Sequence, residues 1–288
     1  MPDKCNPVNV RIFPNINKLT TGMRTFLLIF AFAVLYLLRL PAQGPVSGFM
    51  PGGKHTDIAV NYTYEHFDQY YFGNELENAP TTTRSANLFL EHGFSDSLGL
   101  ILTLPYKWID QINRGLQDAT LLLKYRNHYR QRRNGQSTFI TSVGLSSPIS
   151  AYPVDTENPI GIRATTFQSR ILTQFQWNSG VFVLFKTGLD FRLIPSALVA
   201  VPALFRVGWG GRKWYVDGWL EFYHTFNPGT DVQISAGNGS RWQRLGATIY
   251  YAFTPSTGVV LNAARFLGGA NIGKANQLSA GLVFKIDW

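Results

Sequence analysis

Residues 277–288 read QLSAGLVFKIDW, and this stretch decides the fold class of the chain. Apolar side chains occupy every second position from Leu278 to Trp288, and most positions between them are polar or glycine. A period of two places these two sets on opposite faces of a β-strand. The stretch therefore predicts a strand with one face for an apolar environment and the other for water.

Segments with the same alternation recur from Gly44 to the end of the chain, where no window keeps the period of an amphipathic helix. Ile58, Val60 and Tyr62, for example, alternate with mostly polar residues. The pattern predicts about twelve strands. Their predicted positions are 56–68, 84–94, 98–108, 117–129, 137–148, 165–177, 181–193, 197–209, 213–226, 240–253, 258–266 and 276–288.

The composition excludes two classes of protein. The 288 residues are 45% apolar and 14% aromatic but only 15% charged, which excludes a disordered chain. The mean hydropathy is close to neutral, which disfavours a membrane protein of many helices. A single large all-β domain remains as the predicted architecture.

The connections between the predicted strands indicate a membrane barrel. Short turns, such as 95–97 and 178–180, alternate with longer links, such as 69–83 and 150–164. Outer-membrane barrels alternate short periplasmic turns with longer external loops in this way. We therefore predict a transmembrane antiparallel up-and-down β-barrel over residues 43–288. The alternative is a soluble β-sandwich, which would have to fill its core with charged side chains.

Residues 1–42 are predicted to be an N-terminal extension and a signal peptide. The apolar run of residues 26–38 follows Arg24 and ends shortly before Ala42. It is too short to span a bilayer, which needs about 20 residues, but has the length of a signal-peptide core. An uncleaved anchor is the alternative, and either Met1 or Met23 is the start of translation.

The charge of the mature chain does not indicate a nucleic-acid partner. Removing residues 1–42 takes five cations and one acid from 26 and 17, so the net charge falls from +9 to 21 minus 16, or +5. The basic run Arg130–Arg133 is interpreted as a solvated turn. The single cysteine, Cys5, precedes the predicted cleavage site, and no motif for a metal or other cofactor is found.

The C-terminal strand, with Phe284, Ile286 and Trp288 in alternate positions, resembles an outer-membrane assembly signal. The resemblance implies a location in the outer membrane of a Gram-negative bacterium, with its lipids and barrel-insertion machinery as partners. Residues 93–106 and 115–126, within a region covering 84–129, are similar to the putative outer-membrane transporters of the meta-pathway of phenol degradation family. This second resemblance implies a barrel that acts as a solute channel.

The polar face of the predicted strands supplies the residues expected to line the lumen. Positive charge on Lys124, Arg126, Arg170, Lys186 and Arg192 favours anions, whereas pairing of opposite charges across the lumen is the structural alternative. The predicted lining residues are Glu65, Glu91, Lys107, Asp118, Lys124, Arg126, Arg170, Lys186, Asp190, Arg192, Arg206, Asp217, Glu221, Arg244 and Lys285.

The sequence favours an outer-membrane channel or transporter for small solutes, either passive or partly gated by external loops. Loops 70–83 and 150–164 are expected either to fold inward and constrict the lumen or to form solvated caps outside it. One alternative is a lipid-modifying barrel enzyme, for which His224, Asn227 and Ser235 or Ser240 supply the residue types but not the spacing of a triad. The other is a non-conducting barrel whose loops bind a partner.

Overall fold

The computed structural model describes residues 47–156, 159–226 and 239–288. These residues form β-strands and connecting turns. Within these three ranges no helix is long and apolar enough to cross a membrane. The predicted extension and signal peptide, residues 1–42, lie outside the described residues.

Fourteen strands follow one another along the described parts of the chain. Twelve are long and two are short. They are β1 (His55–Phe72), β2 (Glu75–Gly93), β3 (Leu98–Trp108), β4 (Arg114–Leu116), β5 (Asp118–Arg132), β6 (Gly135–Pro148), β7 (Thr165–Trp177), β8 (Val181–Ile194), β9 (Leu198–Gly210), β10 (Trp214–Thr225), β11 (Arg241–Ala252), β12 (Thr257–Ala270), β13 (Ile272–Gly273) and β14 (Asn276–Asp287).

The twelve long strands form one closed antiparallel barrel. Each long strand pairs with the next long strand along the chain, and β1 pairs with both β2 and β14. The short strands β4 and β13 add to β3 and β1. Closure gives every long strand two neighbours and leaves no free edge. The predicted all-β, up-and-down barrel of about twelve strands is confirmed.

The barrel exposes apolar side chains on its outer face and buries charged side chains inside, which is the reverse of the distribution in a soluble protein. On β5 the apolar residues Leu121, Leu123 and Tyr125 are exposed, whereas the intervening Lys124 is completely buried. Exposed aliphatic and aromatic residues continue around the outer face on every long strand. An apolar exterior of this kind is typical of barrels that a bilayer surrounds.

The two ends of the barrel differ in their connections. At the end that holds residue 55, which we call the turn end, tight turns such as 94–97 and 178–180 join the strands. At the opposite end, which we call the loop end, residues 149–164 form a long connection between β6 and β7.

The prediction of a loop over residues 69–83 is wrong. Strands β1 and β2 continue beyond the rest of the barrel, with Tyr70 opposite Glu77, and only Gly73 and Asn74 form the turn. Gly73 has a φ of 64°, which glycine adopts readily. Pro80 lies beside the register shift in this ladder, where its missing N–H is tolerated.

The predicted link over residues 267–275 is also largely strand. Strand β12 continues to Ala270, and the short β13 then pairs with the extended hairpin, with Ile272 opposite Tyr71. The Asn271 side chain accepts a hydrogen bond from the Gly73 N–H at 2.5 Å. The hairpin is thus fixed to the rim of the loop end.

Candidate functional site

The structure places the predicted lining residues at inward positions of the strands, where they alternate with the exposed apolar residues of the outer face. Most of them are buried or half-buried. Their role in transport remains a prediction, because placement alone does not measure it. Phe284 and Trp288 of the predicted assembly signal lie on the exposed outer face of β14 and just beyond it, and Ile286 shares their alternation.

Four ion pairs join acids and bases across the inner face. Their charged groups lie mostly on neighbouring strands, and their side chains are at most about a quarter exposed. Removing one partner of such a pair leaves a buried charge and typically costs about 3–5 kcal/mol. The pairs are Lys124–Glu91 at 2.6 Å, Arg170–Asp190 at 2.6 Å, Arg206–Asp217 at 3.4 Å and Arg244–Glu221 at 2.9 Å.

Lys186 lies among these pairs and is 6% exposed. It interacts electrostatically with Glu221 and also with the cations Arg206, Arg170 and Lys124. Lys186 thus lies within the same group of charged side chains. The middle of the lumen is therefore a network of buried acids and bases.

The remaining predicted lining residues make local contacts. Arg192 donates from Nε to the Ser196 carbonyl at 2.9 Å and from a terminal nitrogen to the Ser196 hydroxyl at 3.0 Å. The other contacts are Gln277 to Glu65, the Tyr152 hydroxyl to Asp118, Arg126 over the Tyr129 ring at 5.0 Å, Lys285 over the Tyr250 ring at 5.8 Å, and the charge of Lys107 near Asp118.

An apolar cluster inside the barrel was not predicted. Leu122, Phe182 and Trp219 are almost fully buried and belong to a group of nine buried apolar residues contributed by inward positions of eight strands. Runs such as Leu121-Leu122-Leu123 and Phe182-Val183-Leu184-Phe185 carry the signal, because they are apolar on both faces of a strand. Alternation alone does not identify the apolar residue of each run that points into the barrel.

The segment before β1 enters the lumen at the turn end. We call residues 47–53 the inner segment. The Phe49 carbonyl accepts a hydrogen bond from Lys124 Nζ at 2.5 Å, and the Phe49 ring contacts Phe182 edge-on at 5.6 Å. A side chain at Gly48 would clash with Gln174, so glycine permits this close approach. The inner segment narrows the lumen where the apolar cluster lies.

The described residues of the loop between β6 and β7, 149–156 and 159–164, pack against the inner face at the loop end. Tyr152 is 2% exposed, and its hydroxyl donates to Asp118 at 2.6 Å and accepts from the Arg163 N–H at 2.7 Å. Burial, assisted by the Asp118 carboxylate, raises the pKa of Tyr152 well above its usual range. The neutral phenol therefore holds the loop against the barrel wall.

Cavities lie at both ends of the barrel. One of about 160 Å³ lies beneath the folded loop at the loop end, bordered by Asp190, Arg192 and Thr225. A second of about 390 Å³ adjoins the inner segment and Arg126. A third of about 470 Å³ lies among the turns at the turn end and includes Arg212. The walls of these cavities thus carry polar and charged groups.

The residues considered for an enzyme are not brought together in the described part of the chain. His224 is exposed on β10 and contacts Phe226, whereas Ser240 is buried on the wall of the 160 Å³ cavity. Asn227 and Ser235 lie outside the described residues. Over the same described ranges, no group of three or more His, Cys, Asp or Glu side chains is arranged to hold a metal ion.

Comparison with known proteins gives the fold of the chain. No family model matches it, and no curated protein matches it by sequence. Among solved structures, the COG4313 outer membrane channel from Pseudomonas putida F1 is 15% identical with a TM-score of 0.69, covering 85% of this chain and 100% of that one. The NanC porin is 10% identical with a TM-score of 0.53, covering 80% and 100%. The chain therefore has the β-barrel fold of outer-membrane proteins.

Proposed function

We propose that the chain is an outer-membrane channel for small solutes that is closed at both ends in the state described. The observation that carries the proposal is a lumen of charged groups and separate polar chambers inside an exterior of exposed apolar residues. The two similar folds belong to proteins described as an outer membrane channel and a porin, which supports the same conclusion.

The two closures define how a solute would pass. At the turn end, the inner segment packs against the apolar cluster and Lys124. At the loop end, the loop of residues 149–164 lies over the 160 Å³ cavity, and Ile162 and Ala164 border that cavity. A solute moves between the chambers only when these segments shift. The channel is thus passive and gated by its own chain.

The same proposal includes a preference for anions. Arg126 and Arg192, two of the predicted lining residues, lie on the walls of two cavities. A cationic lining concentrates anions and repels cations in a narrow pathway. The proposed partners are outer-membrane lipids on the apolar exterior and the barrel-insertion machinery, which would recognise the strand that ends at Trp288.

A channel is preferred to a lipid-modifying enzyme because a serine nucleophile needs its base within hydrogen-bonding reach. The His224 side chain lies on the exposed face, and Ser240 borders an interior cavity. This separation argues against a catalytic pair of His224 and Ser240.

Single-channel recording in a planar bilayer tests the proposal. The full mature chain should give small, infrequent conductance steps, and a variant lacking residues 47–53 should give larger steps. In a salt gradient, the reversal potential should have the sign of anion preference. A folded, heat-modifiable barrel that stays silent in both forms would refute a channel function.

A further inference from the structure

A row of short polar side chains crosses one half of the inner wall. Its members are paired directly opposite one another on six successive long strands, from β10 to β2, which places neighbouring Cβ atoms about 4.5–5.5 Å apart. All of them are buried or half-buried. The polar row consists of Asp217, Thr248, Asn262, Ser279, Thr63 and Ser85. Strand register thus assembles a continuous line of hydrogen-bonding groups.

The polar row rises along the barrel wall, because the strands of a barrel are tilted. Asp217 lies three residues from Trp214, at the turn end of β10. Ser85 lies eight residues from Gly93, at the turn end of β2. The row therefore leads from near the turn end toward the loop end, which is the direction that a solute must take.

Several polar atoms in and beside the row have no hydrogen-bond partner among the residues that the structure describes. Thr248 is completely buried, yet its hydroxyl is one of them. The atoms beside the row belong to residues two positions from a row member on the same strand. The atoms are Asp217 Oδ1, Thr248 Oγ1 and Asn262 Oδ1 in the row, and Trp219 Nε1, Tyr250 Oη, Asn61 Oδ1 and Gln277 Oε1 beside it. Buried groups of this kind favour a ligand that supplies the hydrogen bonds.

The unpartnered atoms define the chemistry of that ligand. Amide and carboxylate oxygens only accept hydrogen bonds, an indole N–H only donates, and hydroxyl groups do both. Arg206 lies 3.4 Å from Asp217 Oδ2 and offsets the charge of this acid, and the other five residues of the row are uncharged. The row therefore suits an uncharged molecule with several hydroxyl groups better than it suits an ion.

Two glycines allow aromatic side chains to lie against the wall beside the row. A Cβ at Gly246 would lie 2.1 Å from the Trp219 ring, and a Cβ at Gly258 would lie 2.4 Å from the Tyr250 ring. A larger residue at either position would displace the ring. The indole N–H and the phenol are thus held in place by the wall, and such preorganised groups lose little entropy when a ligand binds.

We propose that the polar row binds small uncharged polyols on their way through the lumen. The inference rests on the proposed channel function, because it names a class of solute that the channel would pass besides anions. Erythritol, a four-carbon polyol, is the probe. 1,2-Dimethoxyethane also has four carbons, but its ether oxygens accept hydrogen bonds and cannot donate them. The pair separates recognition of hydroxyl groups from simple filling of the lumen.

Ligand-observed NMR on the full mature chain in detergent measures the binding. Erythritol should bind and 1,2-dimethoxyethane should not. Asn262→Leu keeps the approximate size of a central residue of the row and removes its amide, so erythritol binding should weaken by roughly two- to tenfold, the effect of one hydrogen bond. Ser142→Ala is the matched control, since it removes an unpartnered buried hydroxyl from β6, on the opposite wall. Equal binding of both probes, or equal loss in both variants, would overturn the assignment.

A second variant covers the case in which Asn262→Leu does not fold, as judged by heat-modifiable migration in electrophoresis. Thr248→Val keeps the shape of the side chain and removes its hydroxyl. Since this hydroxyl has no partner in the described part of the chain, the variant should unfold at the same urea concentration as the wild type but bind erythritol more weakly. Lower stability with unchanged binding would mean that the hydroxyl is only structural and would overturn the proposal. Erythritol binding by a barrel that never conducts refutes only the channel, whereas conductance without erythritol binding refutes only the polyol site.

Discussion

The turn end and the loop end close the same barrel by different physical means. At the turn end, the inner segment packs on buried apolar rings, and its backbone is hydrogen-bonded to a completely buried lysine. At the loop end, hydrogen bonds between polar groups hold the loop, with Tyr152 as its main buried anchor. Apolar burial and a buried charge resist opening, whereas hydrogen bonds exchange with water at a small net cost. We therefore expect the loop end to open far more often.

The largest effect should come from Lys124→Met, which removes the cation at the turn end. The change leaves the Glu91 carboxylate buried without its partner and releases the Phe49 carbonyl, so the barrel should lose about 3–5 kcal/mol of unfolding free energy. Urea unfolding in detergent, followed by tryptophan fluorescence, measures this loss. Adding Glu91→Leu should recover most of the stability, and a single variant as stable as the wild type would contradict the role given to Lys124.

Phe49→Ala should open the turn end without unfolding the barrel. The ring is partly exposed, and its loss removes the contacts with Phe182 and Tyr215. We expect more frequent and larger conductance steps in a planar bilayer, with a modest loss of stability. Phe94→Ala is the matched control, since Phe94 lies in a turn at the same end and contacts His92 instead. Similar gains in both variants would argue against a specific closure.

Tyr152→Phe tests the closure at the loop end and predicts its dependence on pH. The raised pKa means that the folded loop favours the neutral phenol, so its stabilisation is complete below the usual tyrosine pKa of 10.0 and is lost as the pH rises above it. Closing events should become rarer at alkaline pH in the wild type. At neutral pH the closed loop should be less stable in the phenylalanine variant than in the wild type by about 1 kcal/mol, and the variant should lack this alkaline change. Identical alkaline behaviour in both forms would exclude Tyr152 as the cause.

The smallest effect should come from Thr156→Val. The Thr156 hydroxyl donates to the Asn113 side chain at 2.7 Å and ties the folded loop to the turn of residues 109–113. One such bond contributes about 0.5–1.5 kcal/mol, so amide exchange in residues 150–156 should become a few-fold faster. Exchange at the turn end should not change. Faster exchange at both ends would mean that the closures are coupled.

Alternation of apolar and polar residues was enough to predict the strands, because a barrel in a bilayer needs one apolar face on every strand. Positions on β7 and β8, for example, agree with the prediction to within a residue. The prediction of a long loop over residues 69–83 is wrong because Tyr70, Tyr71 and Phe72 favour a strand, and Gly73 suits a tight turn.

The contacts inside the barrel were harder to predict than the strands. They depend on strand register and on segments, such as the inner segment, in which apolar and polar residues do not alternate. The inward direction of Lys124 and Glu91 follows from alternation, but their pairing across the intervening β3 does not. The inner segment shows no repeating pattern, and its position depends on one lysine and on the space at Gly48. The apolar cluster could have been predicted from the runs of consecutive apolar residues on β3, β5 and β8.

The pairing of β1 with β14 makes the final residues of the chain decisive for folding. Trp288 donates from its backbone to the Lys54 carbonyl and from its indole to Thr56, and His55 meets Asp287 across 232 residues of sequence. Contacts of such high sequence separation form late, since the chain between them must be ordered first. Until then the sheet has two open edges, whose backbone groups cannot enter hydrocarbon without partners. Synthesis and export must therefore be complete before the sheet can close in a membrane.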